Sequence, residues 1–181
     1  MKNTKRILLA AVAALLLVAV SVGGTLAWLT ASTQTITNTF SPSDINITLA
    51  ETTGTEYKMV PGATIEKNPK VTVVAGSEDC WLFVKVEKSG NFDAFMTYTM
   101  ADGWTPLTGV DGVYYRQVAA SSADQDFNVL NNNEVTVLNT VTKGDMTGLT
   151  EATYPTLKFT AYAIQQEGFA TAAAAWAEVS K

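Results

Sequence analysis

The chain changes character abruptly between residues 23 and 40, and this change limits which residues are available to fold. Residues 7–20 are all apolar, whereas the later chain is polar, rich in Thr and Val, and punctuated by turn residues. A basic start, an apolar run of roughly 7–15 residues and a small-residue exit are typical of a secretory signal peptide. The sequence therefore predicts a signal-peptide helix over residues 1–27, cleavage between Ala27 and Trp28, and secretion to the cell surface or extracellular matrix.

The leader has a second interpretation, as a retained membrane anchor. Residues 7–27 number 21, close to the ~20 that span a bilayer as a helix. Gly23, Gly24 and Thr25 weaken the far end of such a span, which favours cleavage. Membrane association is therefore expected only for the uncleaved precursor.

Composition limits the class of the remaining protein. Removing 27 of the 181 residues leaves 154, a length that suits one domain with its own core. All 17 acidic residues but only nine of the 12 basic ones remain, for a net charge of −8. An acidic chain without a basic cluster argues against nucleic-acid binding. The single cysteine, Cys80, has no partner for an internal disulfide.

Short alternations of apolar and polar residues, separated by turn signals, fill most of the chain after residue 41. They predict strands at residues 45–49, 71–75, 80–87, 113–116, 127–130, 134–138 and 157–164, the last being the longest. The 80–87 segment begins apolar on both faces, which predicts a central strand. About eight short strands indicate an all-β fold, a jelly-roll-like antiparallel β-sandwich over residues 41–181.

Three segments depart from this alternation. Residues 92–100 fit either a helical turn or an irregular edge, and residues 139–154 are predicted to be mostly loop. Residues 169–179 are rich in alanine and carry apolar side chains at helical spacing, which predicts a short C-terminal helix.

Residues 28–40 predict an N-terminal strand with one wet face. Trp28, Ile36 and Phe40 share one parity, and threonines fill much of the remainder. The residues assigned to this assembly strand are Trp28, Thr30, Thr33, Thr35, Ile36, Thr37 and Phe40. Such a segment can pair with an open sheet edge of another molecule. In a monomer it would fold back onto its own domain or remain a tail, and the sequence leaves these alternatives open.

Catalytic chemistry is largely excluded by composition. The chain has no histidine, so Ser-His-Asp, Cys-His and the usual zinc hydrolase sites cannot be built. Cys80 lies between Asp79 and Trp81, where no base activates its thiol, and it is expected to be a small buried hydrophobe. No catalytic residue and no cofactor is predicted.

Two weaker interpretations remain for side chains outside the leader. The acidic pairs Glu78-Asp79 and Asp124/Asp126 could bind calcium or act as paired carboxylates, but solvated loop charge is the simpler interpretation. Four aromatic residues could form a carbohydrate platform, although packing in the core and on the sheet faces is expected instead. These aromatic residues are Trp81, Trp104, Tyr114 and Tyr115.

Several stretches resemble the TasA/camelysin family of Gram-positive bacteria. Gly23–Thr30 followed by Thr37–Phe40 resembles the export and cleavage region of that family, and this is the most specific part of the likeness. Further similar segments are Lys58–Gly62, Lys67–Val71, Gly76–Cys80, Ala161–Gln165, Gly168-Phe169 and Ala175-Trp176. The likeness covers most of the chain.

The resemblance implies a jelly-roll subunit of extracellular biofilm-matrix fibres. It implies cleavage by a SipW-type signal peptidase, and residues 28–40 match the strand that inserts into the neighbouring subunit. Expected partners are this peptidase, further copies of the chain and other matrix proteins. Camelysin is also labelled a metalloendopeptidase, but a chain without histidine offers no matching ligand set. A monomeric surface module that binds glycan or protein is the remaining alternative.

Overall fold

The computed structural model describes residues 44–54 and 56–181, in which strands dominate. The predictions for the signal peptide, for the cleavage site at Ala27 and Trp28, and for the strand at 28–40 lie outside these residues. The described strands are β1 (Ile47–Ala50), β2 (Thr64–Glu66), β3 (Lys70–Val73), β4 (Cys80–Lys88), β5 (Met96–Thr97), β6 (Thr105–Pro106), β7 (Val113–Val118), β8 (Gln125–Asn128), β9 (Glu134–Val137) and β10 (Leu157–Gln165). The helices are α1 (Phe92–Phe95), α2 (Lys143–Thr147) and α3 (Ala172–Val179), with 3-10 turns at Asn131–Asn133 and Glu151–Thr153.

The described strands form three antiparallel sheets, which confirms the all-β prediction. Sheet I has the order β1-β3-β8, sheet II the order β10-β4-β7-β6, and sheet III the order β2-β9-β5. Strand β4 lies between β10 and β7, as its apolar start on both faces predicted. It has the same nine-residue length as β10 and pairs with β10 along that whole length.

Two hydrophobic clusters lie on the two faces of sheet II. The inner cluster joins sheet II to sheet I, because Leu82, Val84 and Val86 of β4 share it with Val71 and Val73 of β3. The outer cluster lies on the opposite face and is covered by α3. Its buried members are Trp81, Phe83, Leu107, Val113, Ala172 and Ala175. Alternate residues of β4 therefore supply two cores, as the period of two in a strand requires.

The C-terminal helix is shorter than predicted. It begins at Ala172 rather than at residue 169, because the Thr171 side chain accepts a hydrogen bond from the Ala174 N–H and caps the first turn. The ring centroid of Trp176 then lies 5.3 Å from that of Phe83 and 5.2 Å from that of Tyr162. Within residues 44–54 and 56–181, no helix has both the length and the hydrophobicity needed to cross a bilayer.

Residues 92–100 satisfy both of the predicted alternatives in succession. Helix α1 occupies Phe92–Phe95, and β5 follows at Met96–Thr97. The segment predicted as loop at residues 139–154 contains α2, whose Thr142 and Asp145 form a reciprocal capping box. The alternation did not predict strands at Thr64–Glu66 and Thr105–Pro106. These residues form β2, which pairs with β9, and β6, which pairs with β7.

Candidate functional site

The outer edge of β10 is the most extensive unpaired edge in the described part of the chain. Strand β10 ends the order of sheet II and pairs only with β4 among these residues. The Gln166 N–H donates to Asp79 O, so even-numbered residues of β10 direct their backbone N–H and C=O groups toward β4. The Val86 N–H donates to Gly112 O, so even-numbered residues of β4 direct theirs toward β7, in agreement with this pattern. The backbone N–H and C=O groups of Phe159, Ala161 and Ala163 consequently point away from β4.

Strand β1 flanks this edge. Its Cα atoms approach those of β10 within 8 Å, although no ladder joins the two strands among the described residues. The Val74 N–H donates to Asn46 O, which directs even-numbered residues of β1 toward β3. The backbone groups of Ile47 and Leu49 therefore point away from β3. We call the region between these two unpaired edges the β1/β10 seam.

Strands β1 and β10 run in opposite directions along the seam. At one end, the Glu78 N–H donates to Asp44 O, and Asp79 O accepts from Gln166, so the start of β1 lies near the finish of β10. At the other end, Glu51, which follows β1, bonds Lys67, and Lys67 Nζ lies 5.8 Å from the Phe159 ring centroid.

The seam is lined by apolar side chains that are only partly covered. Ile45, Ile47, Leu157, Phe159, Ala161 and Ala163 are half-buried and pack on the inner cluster. Leu49, on the edge of β1, is 38% exposed. Behind them, Val71 and Val84 are fully buried. An added strand with apolar residues on one face would pair with the unpaired backbone groups of β10 and cover part of this apolar surface.

The network at the far end of the seam is absent from the sequence prediction. Lys67 Nζ lies 2.7 Å from Glu51 Oε1, and the Tyr57 hydroxyl donates to the same oxygen at 3.0 Å. The Lys67 ammonium also lies 5.2 Å from the Tyr57 ring centroid. This network holds the loop after β1 against β2. The sequence offers no local signal for it, because Glu51 and Lys67 lie 16 residues apart.

Three of the four carboxylates considered for calcium, those of Asp79, Asp124 and Asp126, are engaged by the protein itself. Asp79 Oδ1 accepts from the Ala120 N–H at 2.6 Å, and Asp124 Oδ1 accepts from the Ala75 N–H at 2.8 Å. Asp126 accepts from Lys70 and Thr72, and these hydrogen bonds hold the pKa of its carboxyl below the usual value. Among residues 44–54 and 56–181, no group of three His, Cys, Asp or Glu side chains is placed to hold a metal ion.

Cys80 occupies the predicted structural position. It is fully buried in the inner cluster and unbonded to another sulfur. Burial, with a smaller contribution from the charge of Asp79, raises the pKa of its thiol to about 11. A thiol with this pKa is almost wholly protonated at neutral pH, so it lacks the thiolate that a nucleophile requires.

The four aromatic residues considered as a carbohydrate platform do not share a face. Trp81 and Tyr115 meet edge to face at 5.8 Å in the outer cluster under α3, whereas Trp104 and Tyr114 belong to the inner cluster. Trp81 and Trp104 are buried, with 6% and 7% of their surfaces exposed. The packing interpretation of these side chains is confirmed.

A second cluster without a sequence signal surrounds Arg116. Its Cζ lies 4.0 Å from the Phe127 ring centroid and 5.3 Å from the Trp104 ring centroid. Gly103 leaves room for the guanidinium, since a Cβ there would lie 2.8 Å from Arg116 Nη2. Burial lowers the pKa of Arg116, but an arginine remains charged at physiological pH.

No protein-family model matches the chain, and no curated protein or solved structure is significantly similar to it. Its function is therefore inferred from its own residues and geometry.

Proposed function

We propose that the chain is an exported structural protein of the TasA/camelysin type, a jelly-roll subunit of extracellular biofilm-matrix fibres. In this proposal a SipW-type signal peptidase cleaves between Ala27 and Trp28. The released strand, residues 28–40, then pairs with the β1/β10 seam of the next copy. The observation that carries the proposal is the outer edge of β10, which combines outward backbone groups at Phe159, Ala161 and Ala163 with half-buried apolar side chains.

The released strand has the chemistry that this seam requires. Trp28, Ile36 and Phe40 share one parity, so one face of an extended strand would present them together. The seam offers a partly covered apolar floor on which such side chains can be buried. Threonines at residues 33, 35 and 37 suit the opposite, hydrated face.

Chain length favours exchange between copies over pairing within one copy. A strand antiparallel to β10 would finish near Leu157, whereas Asp44 lies near the finish of β10. The nine residues of β10 span ~30 Å. The four peptide steps from Phe40 to Asp44 reach only ~14 Å. Residues 28–40 can therefore pair antiparallel with the whole of β10 only on another copy.

This geometry leads to filaments. Each copy would carry one donor strand and one acceptor seam, which makes the contact heterologous. A heterologous contact that does not close into a ring propagates along a fibre. Other matrix proteins would then meet an assembled surface rather than a single subunit.

The test begins with protein that starts at Trp28. Electron microscopy should show fibres, and deletion of residues 28–40 should abolish them while the circular dichroism of the domain is kept. Ala161→Pro should also abolish fibres, because it removes an outward N–H without breaking the β4 ladder. Ala161→Thr keeps that N–H and adds a branched side chain, so it is the matched control that should still assemble. Fibres that survive either the deletion or Ala161→Pro would contradict the proposal.

A monomeric surface-binding module is the second candidate. It is favoured by the opposite directions of β1 and β10, because residues 28–40 would run parallel to β10 of the same copy if a tight turn at residues 41–44 led them into β1. Sedimentation of the mature chain over a wide concentration range separates the two functions. A single monomeric species throughout would favour the module.

Protease activity is not part of the proposal. The chain has no histidine to serve as zinc ligand or general base. Chelator-sensitive cleavage of casein by the pure chain would revive the camelysin-like alternative.

A further inference from the structure

The side of the sandwich opposite the seam is built differently. Sheet I ends there in β8, and sheet II ends there in β6, which pairs only with Tyr114 and Tyr115 of β7. Arg116 of β7 and Phe127 of β8 meet there, with the guanidinium carbon 4.0 Å from the ring centroid. Tyr114 and Val118, at the same parity as Arg116, belong to the inner cluster, so Arg116 points between the two sheets.

This inward-pointing charge has no neutralising partner in the described part of the chain. None of the ion pairs among residues 44–54 and 56–181 includes Arg116, and its Nε is buried without a hydrogen bond. The aromatic rings of Trp104 and Phe127 flank it instead. Guanidinium groups stack on aromatic faces because the π-electrons attract the cation.

The edge of β8 is covered at one outward backbone group, the carbonyl of Asn128. The Val129 N–H donates to Pro69 O, so odd-numbered residues of β8 direct their backbone N–H and C=O groups toward β3. The backbone groups of Asp126 and Asn128 therefore point outward. Asn128 O already accepts from Trp104 Nε1 at 2.8 Å. An incoming strand would have to displace this indole to reach the carbonyl.

The remaining edge of sheet II on this side is β6. It consists of the two residues Thr105 and Pro106. Proline has no N–H to donate, and short edges containing proline are a common protection against strand addition. Both edges on this side therefore differ from the nine-residue edge of β10.

We infer that the stack of Trp104, Arg116 and Phe127 closes this side of the sandwich to strands from other copies. Inward-pointing charges are one way in which proteins protect sheet edges. Addition of a strand here would further desolvate the guanidinium and break the bond from Trp104 to Asn128. The consequence for fibres rests on the proposed function: one acceptor side gives an unbranched filament, whereas two acceptor sides would give branching.

The test uses the mature chain from Trp28 with the seam blocked by Ala161→Pro. The single variant should sediment as a monomer. Adding Arg116→Met should restore self-association, seen as a shift of most material from monomer to dimer or larger species. Lys143→Met, which removes an exposed positive charge from α2 instead, is the matched control and should leave the blocked chain monomeric. A folded Arg116→Met/Ala161→Pro chain that remains monomeric would overturn the inference.

Failure of this inference is distinguishable from failure of the fibre proposal. If the unsubstituted chain forms no fibres, the fibre proposal fails, but the blocked chains can still be compared with and without Arg116→Met. If Arg116→Met does not fold, Trp104→Phe takes its place, since it frees Asn128 O and keeps an aromatic ring. The same gain of association is then expected, and its absence in a folded chain overturns the inference equally.

Discussion

Lys67 Nζ lies 2.7 Å from Glu51 Oε1 and 2.9 Å from Glu51 Oε2, which ties the loop after β1 to the residue after β2. The pair is shielded, with 11% of the lysine side chain and 21% of the glutamate side chain exposed. Lys67→Met should lower the free energy of unfolding by about 1–3 kcal/mol, because it leaves a partly buried carboxylate without its cation. Urea unfolding followed by tryptophan fluorescence measures the loss.

The matched control is the Lys70–Asp126 pair, at 2.6 Å but with 42% and 52% of the two side chains exposed. Lys70→Met should change stability by about 0–1 kcal/mol, as exposed pairs usually do. Equal losses for the two methionine variants would show that shielding does not set the strength of the Lys67 pair.

The alternation of apolar and polar residues predicted a strand well where the signal lies within that one segment of the sequence. Cys80 to Glu87 is apolar on both faces at its start, and β4, which contains these residues, is an interior strand of sheet II. The prediction of the C-terminal helix is less accurate at the first residue, because the spacing of alanines does not locate the N-cap. The signal that does so is Thr171, three residues before the amide that it bonds.

The candidate sites were less accessible to sequence analysis, because they depend on pairing between distant residues. That the edge of β10 is unpaired among described residues follows from the order of sheet II, which alternation alone does not encode. Arg116 and Phe127 appear in two separate predicted strands, and only the packing of sheet I on sheet II brings the cation onto the ring.

Gly112 makes the tightest of the described glycine contacts. It has a φ of +70°, and a Cβ built on it would lie 2.3 Å from Val86 O in β4. Gly112→Ala therefore combines backbone strain with a clash against main chain, and should cost roughly 3 kcal/mol or more. Chemical denaturation of the purified variant tests this value.

Gly109 provides the control for the strain component alone. Its φ is +83°, but a Cβ there would have no atom within 4 Å. Gly109→Ala should cost only about 1 kcal/mol. If Gly112→Ala were no more destabilising than Gly109→Ala, the predicted clash between the new Cβ and Val86 O would be contradicted.

Asp79 is expected to stabilise the domain as a loop cap rather than as a calcium ligand. Its Oδ1 accepts from the Ala120 N–H at 2.6 Å, joining the loop before β4 to the loop after β7. Asp79→Ala should cost about 1 kcal/mol, the usual contribution of such a hydrogen bond. Asp79→Asn, which retains an acceptor oxygen, should lose less. Addition of calcium or a chelator should not move the melting temperature of the unsubstituted chain, and a calcium-dependent rise abolished by Asp79→Ala would refute the cap assignment.

Cys80 should make stability fall at alkaline pH. Burial, together with the nearby charge of Asp79, raises the pKa of its thiol from 9.0 to about 11. The unfolded chain therefore loses this proton first as pH rises, so the stabilisation is complete below pH 9 and is lost between pH 9 and 11. A shift of this size corresponds to up to about 2–3 kcal/mol.

Cys80→Ala should be less stable at pH 7, where it creates a small cavity, but should show a shallower decline above pH 9. Tyr98, whose pKa burial also raises, contributes to both curves and cancels in their difference. Parallel pH profiles of unfolding free energy for the two chains would show that the thiol does not titrate with folding.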